Sequence, residues 1–145
     1  MIVSHILQSH TERRILTVKQ NDSVGDAAKI LSENRIGAVI VSGDGSSVDG
    51  ILSERDIVRE LGVRGGVCLT DKVADLMTAN VQTCAKGDTI VSVMQRMTEG
   101  RFRHLPVIED GALIGVVSIG DIVKARMEEM SHENTALTDM IAGNA

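Results

Sequence analysis

Two four-residue stretches carry the clearest chemical signal in this sequence: Ser53-Glu54-Arg55-Asp56 and Ser118-Ile119-Gly120-Asp121, each placed between an apolar run and a helical pattern. A serine with an acid three residues on reads in two ways. As a capping box, the hydroxyl accepts from the amide three residues into the helix and the acid favours the positive helix end. As a ligand site, a helix N-terminus at the carboxyl end of a strand offers free amides to an anion. A carboxylate one turn in can accept from both hydroxyls of a ribose, the task an acid performs in dinucleotide-binding folds. Taken singly, either stretch is served by capping alone; their duplication favours the ligand reading.

Other chemistries find little support. Cys68 and Cys84 form no CxxC pair, and His5, His10, His104 and His132 show no ligand-like spacing, which argues against a disulfide framework or a zinc site. Neither a Walker loop nor a Ser-His-Asp order is evident, so the sequence is not expected to encode an enzyme. With 20 acidic against 15 basic residues, a net charge of −5, one Phe and no Trp or Tyr, it lacks both a basic face and stacking platforms for nucleic acid. No stretch reaches the length of a bilayer span, and the first residues lack the charged and apolar regions of a signal peptide, so a cytoplasmic address and no membrane partner are expected.

The elements that must position the two stretches come from an internal repeat. A shift of 66 residues lays Thr17, Asp22, Val24, Ala28, Leu31, Arg35 and Val41 on Thr83, Asp88, Ile90, Met94, Met97, Arg101 and Val107. Beyond a turn the shift becomes 65, and Gly50-Ile51-Leu52-Ser53-Glu54-Arg55-Asp56-Ile57-Val58 falls on Gly115-Val116-Val117-Ser118-Ile119-Gly120-Asp121-Ile122-Val123. The lead-in Val3-Ser4-His5-Ile6-Leu7 resembles Val73-Ala74-Asp75-Leu76-Met77 in apolar pattern, with four more residues before the strand in the first copy.

Within each copy a short strand (about 15–18; 81–84) precedes an amphipathic helix with Val24, Ala27, Ala28 and Leu31, or Ile90, Val93, Met94 and Met97, on one stripe. Asp22-Ser23 and Asp88-Thr89 supply N-caps. An apolar strand follows, then a Gly/Asp turn (Gly43-Asp44-Gly45; Asp110-Gly111), a third strand (about 48–53; 113–118) and a second helix. Each copy reads β-α-β-β-α. The predicted organisation is repeat 1 over 1–66, repeat 2 over 67–130 and a helical tail over 131–145, with the glycine-bearing segment 62–67 as a flexible connector. A copy of this size has little core of its own, so the two are expected to pack sheet to sheet.

This order, with G-h-h-S-x-x-D-I-V (h, apolar) closing each copy and Arg103-His104-Leu105-Pro106-Val107 in the second, resembles the CBS domain pair, or Bateman module, over about residues 1–130. The resemblance implies a mixed α/β fold of two repeats related by pseudo-twofold symmetry. It implies clefts for adenosine-containing effectors (AMP, ADP, ATP, NAD or S-adenosylmethionine), with no cofactor required, and regulation of an unidentified partner protein, commonly as a homodimer. Carried across by position, it assigns Asp56 and Asp121 to ribose and Ser53 and Ser118 to phosphate or ribose. Thr17, Val18, Thr83 and Cys84 fall on the wall of the adenine pocket. Gly37, Ala38, Arg103 and His104 fall where base or phosphate is positioned, and Leu105 and Pro106 on the adjoining strand.

The copies differ in charge. Arg101, Arg103 and His104 can gather on a phosphate at the second copy, with fork-shaped arginine donors. The first copy has Arg35 and Arg55, and Gly37 and Ala38 replace the Arg103-His104 pair. Arg35 and Arg101 equally suit the C-termini of the helices they follow. Two non-equivalent sites are expected, the one at Asp121 the better defined. Val123, Met127, Met130, Asn134, Leu137 and Ile141 step by 4, 3, 4, 3, 4, a heptad seam suited either to self-association or to packing on the protein itself. The leading reading is a stand-alone regulatory nucleotide binder; the alternative is an assembly domain whose Ser-x-x-Asp stretches only cap helices.

Overall fold

The computed structural model describes residues 1–10 and 15–143. Its elements in chain order are α1 (Val3–Ser9), β1 (Thr17–Val18), α2 (Val24–Asn34), β2 (Ala38–Val41), β3 (Gly50–Ser53), α3 (Glu54–Arg64), a 3-10 helix (Gly65–Thr70), α4 (Val73–Leu76), α5 (Ile90–Gly100), β4 (His104–Glu109), β5 (Ala112–Ser118) and α6 (Ile119–Ile141). They divide into two compact units, one drawn from residues 14–83 and 108–114, the other from 1–13, 84–107 and 115–145.

In the 14–83 unit, β1 pairs parallel with β2 (Thr17 opposite Ile40, Val18 opposite Val41), and β2 pairs antiparallel with β3 from Ala38–Ser53 to Val41–Gly50. Val18, Val24, Ala27, Leu31, Val39, Val41, Leu52, Ile57 and Val73 form its core. The α2 stripe predicted from periodicity supplies three of these, and the Ser23 hydroxyl caps that helix by accepting from Asp26 N at 3.0 Å. The segment expected to be a loose connector is ordered. Helix α3 runs on to Arg64, the 3-10 turn follows with Cys68 fully buried, and Arg64 pairs with Glu60 and Asp71. Burial of Cys68 and the ion pairs outweigh the freedom that Gly62, Gly65 and Gly66 would otherwise give the backbone.

The second sequence copy repeats the plan. Thr89 caps α5 by accepting from Ser92 N at 3.1 Å, and β4 and β5 pair around Asp110 and Gly111, both at positive φ as a tight hairpin requires. The expected strand at 81–84 is here a single parallel bridge, Cys84 to Val107. Pro106 stands where Ile40 stands in the first copy; its carbonyl accepts from Cys84 N at 2.9 Å, but it has no N–H to return, so the ladder stops after one rung.

The resemblance of the lead-ins is structural. Val3 and Val73 are both fully buried at the starts of α1 and α4. Each lead-in docks on the helix start of the opposite copy. Val73 N donates to Asp22 O (2.8 Å) and Val24 N to Asp71 O (2.9 Å), whereas Val3 N donates to Asp88 O (2.9 Å) and Ile90 N to Met1 O (3.1 Å). Helix α6 buries Ile122 and Ala125, while Val123, Met127, Met130, Leu137 and Ile141 of the seam are exposed. Asn144 and Ala145 of the predicted tail lie outside the described residues.

Candidate functional site: two capping boxes with spare carboxylate oxygens

Strand β3 runs into α3 at Ser53, and β5 into α6 at Ser118; both serines are extended N-cap residues. Ser53 Oγ accepts from Asp56 N at 3.2 Å and Ser118 Oγ from Asp121 N at 3.1 Å. In return, Asp56 Oδ2 accepts from Ser53 N at 3.0 Å and Asp121 Oδ2 from Ser118 N at 2.9 Å. The Ser53 hydroxyl also donates to Asp56 Oδ2 at 3.0 Å. Both stretches are therefore complete capping boxes. Capping uses one oxygen of each carboxylate, and Oδ1 of each keeps the acceptor capacity a ligand hydroxyl would need.

Backbone geometry around the boxes repeats as well. Glu54 N donates to Gly37 O at 2.9 Å, and Ile119 N to Arg103 O at 2.7 Å, so the residues before β2 and β4 lie beside the two helix starts. Ala38 is the cross-strand partner of Ser53. The fold thus brings Gly37, Ala38, Ser53 and Asp56 together in one unit, with Arg103, Ser118 and Asp121 together in the other. Thr17 and Val18 lie on β1, on the far side of β2 from β3, with Val18 buried in the core. Arg55 and Arg103 are exposed, His104 and Thr83 half-buried, and Leu105 and Pro106 buried. A surface groove lined by Arg35, Gly37, Glu54, Ile57 and Val58 includes one residue of the predicted site but not Asp56.

Arg35 and Arg101 are the C-cap residues of α2 and α5, both in the left-handed region at φ 52° and 56°. A non-glycine residue there costs about 1 kcal/mol, and the equal cost in both copies marks an equivalent turn. Cys84 is buried, and desolvation, with the Asp88 carboxylate adding to it, pushes its thiol up to about 11. It is protonated at neutral pH, and burial leaves it little thiolate character.

What sequence reading missed is the company of the spare oxygens. Arg59 Nη1 lies 3.5 Å from Asp56 Oδ1, one helical turn on. His10 Nε2 lies 3.3 Å from Asp121 Oδ1. Arg59 could have been found from its i+3 spacing; His10 is 111 residues away, and only the four extra residues of the first lead-in hinted at it. Among the described residues no cluster of His, Cys, Asp or Glu could hold a metal ion, and no helix is long and apolar enough to cross a membrane.

A duplicated strand-to-helix junction with a capping acid, on two β-α-β-β-α copies, defines a CBS domain pair, and the CBS domain model matches residues 3–63 and 73–128. The chain belongs to the CBS domain family. It is 38% identical over 127 residues to the mitochondrial CBS domain-containing protein CBSX3 of Arabidopsis thaliana, covering 85% of this chain and 62% of that protein, so it spans about three fifths of that relative's length. The crystal structure of the CBS-domain containing protein ATU1752 from Agrobacterium tumefaciens matches with a TM-score of 0.81 and 43% identity, over 87% of this chain and 99% of that one. The CBS domain pair of protein MJ0100, solved in complex with 5′-methylthioadenosine and S-adenosyl-L-methionine, shares the fold with a TM-score of 0.76 and 24% identity, over 89% and 98% of the two chains.

Proposed function

We propose that this protein is a regulatory module that binds an adenosine-containing ligand without turning it over. The observation that carries this reading is the duplicated box in which capping takes only one oxygen of each carboxylate. Asp56 Oδ1 and Asp121 Oδ1 would each accept from a ribose diol, while the amides at the starts of α3 and α6 favour a nearby anionic or polar group. The ligands held by the MJ0100 pair, 5′-methylthioadenosine and S-adenosyl-L-methionine, contain the adenosine this clamp would read. With no Trp or Tyr and a single Phe in the chain, the adenine would lie against aliphatic side chains, and affinity would rest on the polar contacts. The output is a change of conformation or self-association read by a partner protein, because a ligand acts only by preferring one of two states.

Isothermal titration with AMP, NAD, S-adenosylmethionine and 5′-methylthioadenosine tests the proposal. Asp56→Asn and Asp121→Asn keep an oxygen for the cap but lose the charge. Each is expected to weaken binding at its own site about tenfold or more, the scale of one hydrogen bond to a charged group, with unfolding midpoints little changed. Undiminished binding in the double variant would remove the ribose assignment. The second reading, an assembly domain, draws on the exposed Val123, Met127, Met130 and Leu137 of α6. It predicts no binding of any of the four ligands at millimolar concentration and a loss of self-association on truncation near Glu128.

A further inference from the structure

The two boxes share the same pair of reciprocal backbone bonds, yet their Oδ1 oxygens meet different neighbours. Asp56 Oδ1 has Arg59, whose side chain is 69% exposed and held at 3.5 Å. Asp121 Oδ1 has His10 at 3.3 Å, with side-chain exposures of only 14% for the histidine and 19% for the aspartate. An exposed arginine on a flexible stem leaves its partner at little cost. A half-buried imidazole held by the backbone does not.

The cause lies in the lead-ins. Both begin with the same buried valine and the same backbone bonds, then part. After four residues α4 ends, Met77 is extended, and Thr78 exchanges two backbone hydrogen bonds with Ile51 of β3, at 3.0 and 2.9 Å. The chain thus leaves along the strand edge. Helix α1 runs seven residues, packs Leu7 against Gly115 of β5, and places His10 as its C-cap, with His10 N donating to Leu7 O at 3.0 Å. The lead-in that docks like α4 but runs on as helix therefore brings the His10 imidazole to 3.3 Å from Asp121 Oδ1.

We propose that His10 is the residue that distinguishes the two sites: it occupies the ribose acceptor of Asp121, so an adenosine ligand fills the Asp56 site first and the Asp121 site only by displacing His10. This rests on the ribose-clamp reading above. Asp121 Oδ2 already accepts from Ser118 N, and the His10 imidazole stands 3.3 Å from Oδ1, so a vicinal diol and the imidazole compete for the space beside that oxygen.

Titration of the full chain with AMP and with S-adenosylmethionine tests this in an Asp56→Asn background, which isolates the second site. His10→Ala is expected to tighten binding there about five- to tenfold, the size of one polar side-chain contact no longer to be displaced. His10→Gln, which keeps a donor at similar reach, is expected to stay within about twofold of the parent. If wild type binds through Asp56 while His10→Ala leaves the second site unchanged or weaker, the inference falls and the ribose reading survives; a weaker site would make His10 a ligand contact. If no variant binds either probe at millimolar concentration, both fall.

Discussion

At the first box, a carboxylate capped by Ser53 faces an exposed arginine from its own helix; at the second, a carboxylate capped by Ser118 faces a half-buried histidine from a helix at the other end of the chain. Cap distances, helix starts and supporting carbonyls correspond within a few tenths of an ångström. What separates the sites lies outside the repeated motif. Duplication copied the local chemistry of the capping box, and the divergence is in how far each lead-in continues as helix after docking. On the proposed reading, two sites of equal motif would differ in occupancy without any change to the residues that define the motif.

That comparison can be broken most forcefully at the glycines beneath the lead-ins. A Cβ at Gly50 would stand 2.7 Å from the carbonyl oxygen of Thr78, a backbone atom tied into the bridge with Ile51; a Cβ at Gly115 would stand 2.7 Å from Leu7 Cδ2, the end of a movable side chain. Gly50→Ala is therefore expected to cost about 3 kcal/mol and Gly115→Ala about 1 kcal/mol, read from urea midpoints, the two ends of the usual overpacking range. Equal losses would mean that both lead-ins are equally rigid and would undercut the asymmetry.

A smaller and symmetric effect should come from the caps. Ser53→Ala and Ser118→Ala each remove a hydroxyl that accepts one helix amide, and about 1 kcal/mol of stability is expected to go with either. A large difference between them would show that the boxes are not equivalent supports. An effect confined to alkaline pH sharpens the comparison where Cys84, in a single bridge, takes the place of Val18. Its thiol is raised from an ordinary 9.0 to about 11 by burial. The folded state keeps the proton that the unfolded state gives up, so this contribution is whole below about pH 9 and is lost as pH rises through 11. Alkaline unfolding of Cys84→Val should lack that step, and wild type should show it.

The helices, their caps and the central strands were legible because each rests on local physics: the 3.6-residue stripe of Val24, Ala27 and Leu31, the Ser23 and Thr89 caps, the apolar run at Ala38–Val41. The Ser-x-x-Asp boxes were legible too, though the sequence could not divide capping from ligand binding, since both call on the same residue types at the same spacing. The connector was misread because Gly62, Gly65 and Gly66 signal freedom, whereas the burial of Cys68 and the Arg64 ion pairs depend on partners brought up by folding. The missing strand at 81–84 was nearly legible in Pro106, whose absent N–H matters only once the first copy shows that this position faces the neighbouring strand.

The sequence by itself determined that there are two copies of one β-α-β-β-α plan, each ending in a capped helix with a carboxylate one turn in, because periodicity, capping and turn chemistry act over a few residues. Only the tertiary structure decided that each lead-in serves the opposite copy and that His10, far away along the chain, stands on Asp121. Such contacts are set by where buried Val3 and Val73 can dock and by how far the helix runs on from there, and spacing along the chain does not encode them.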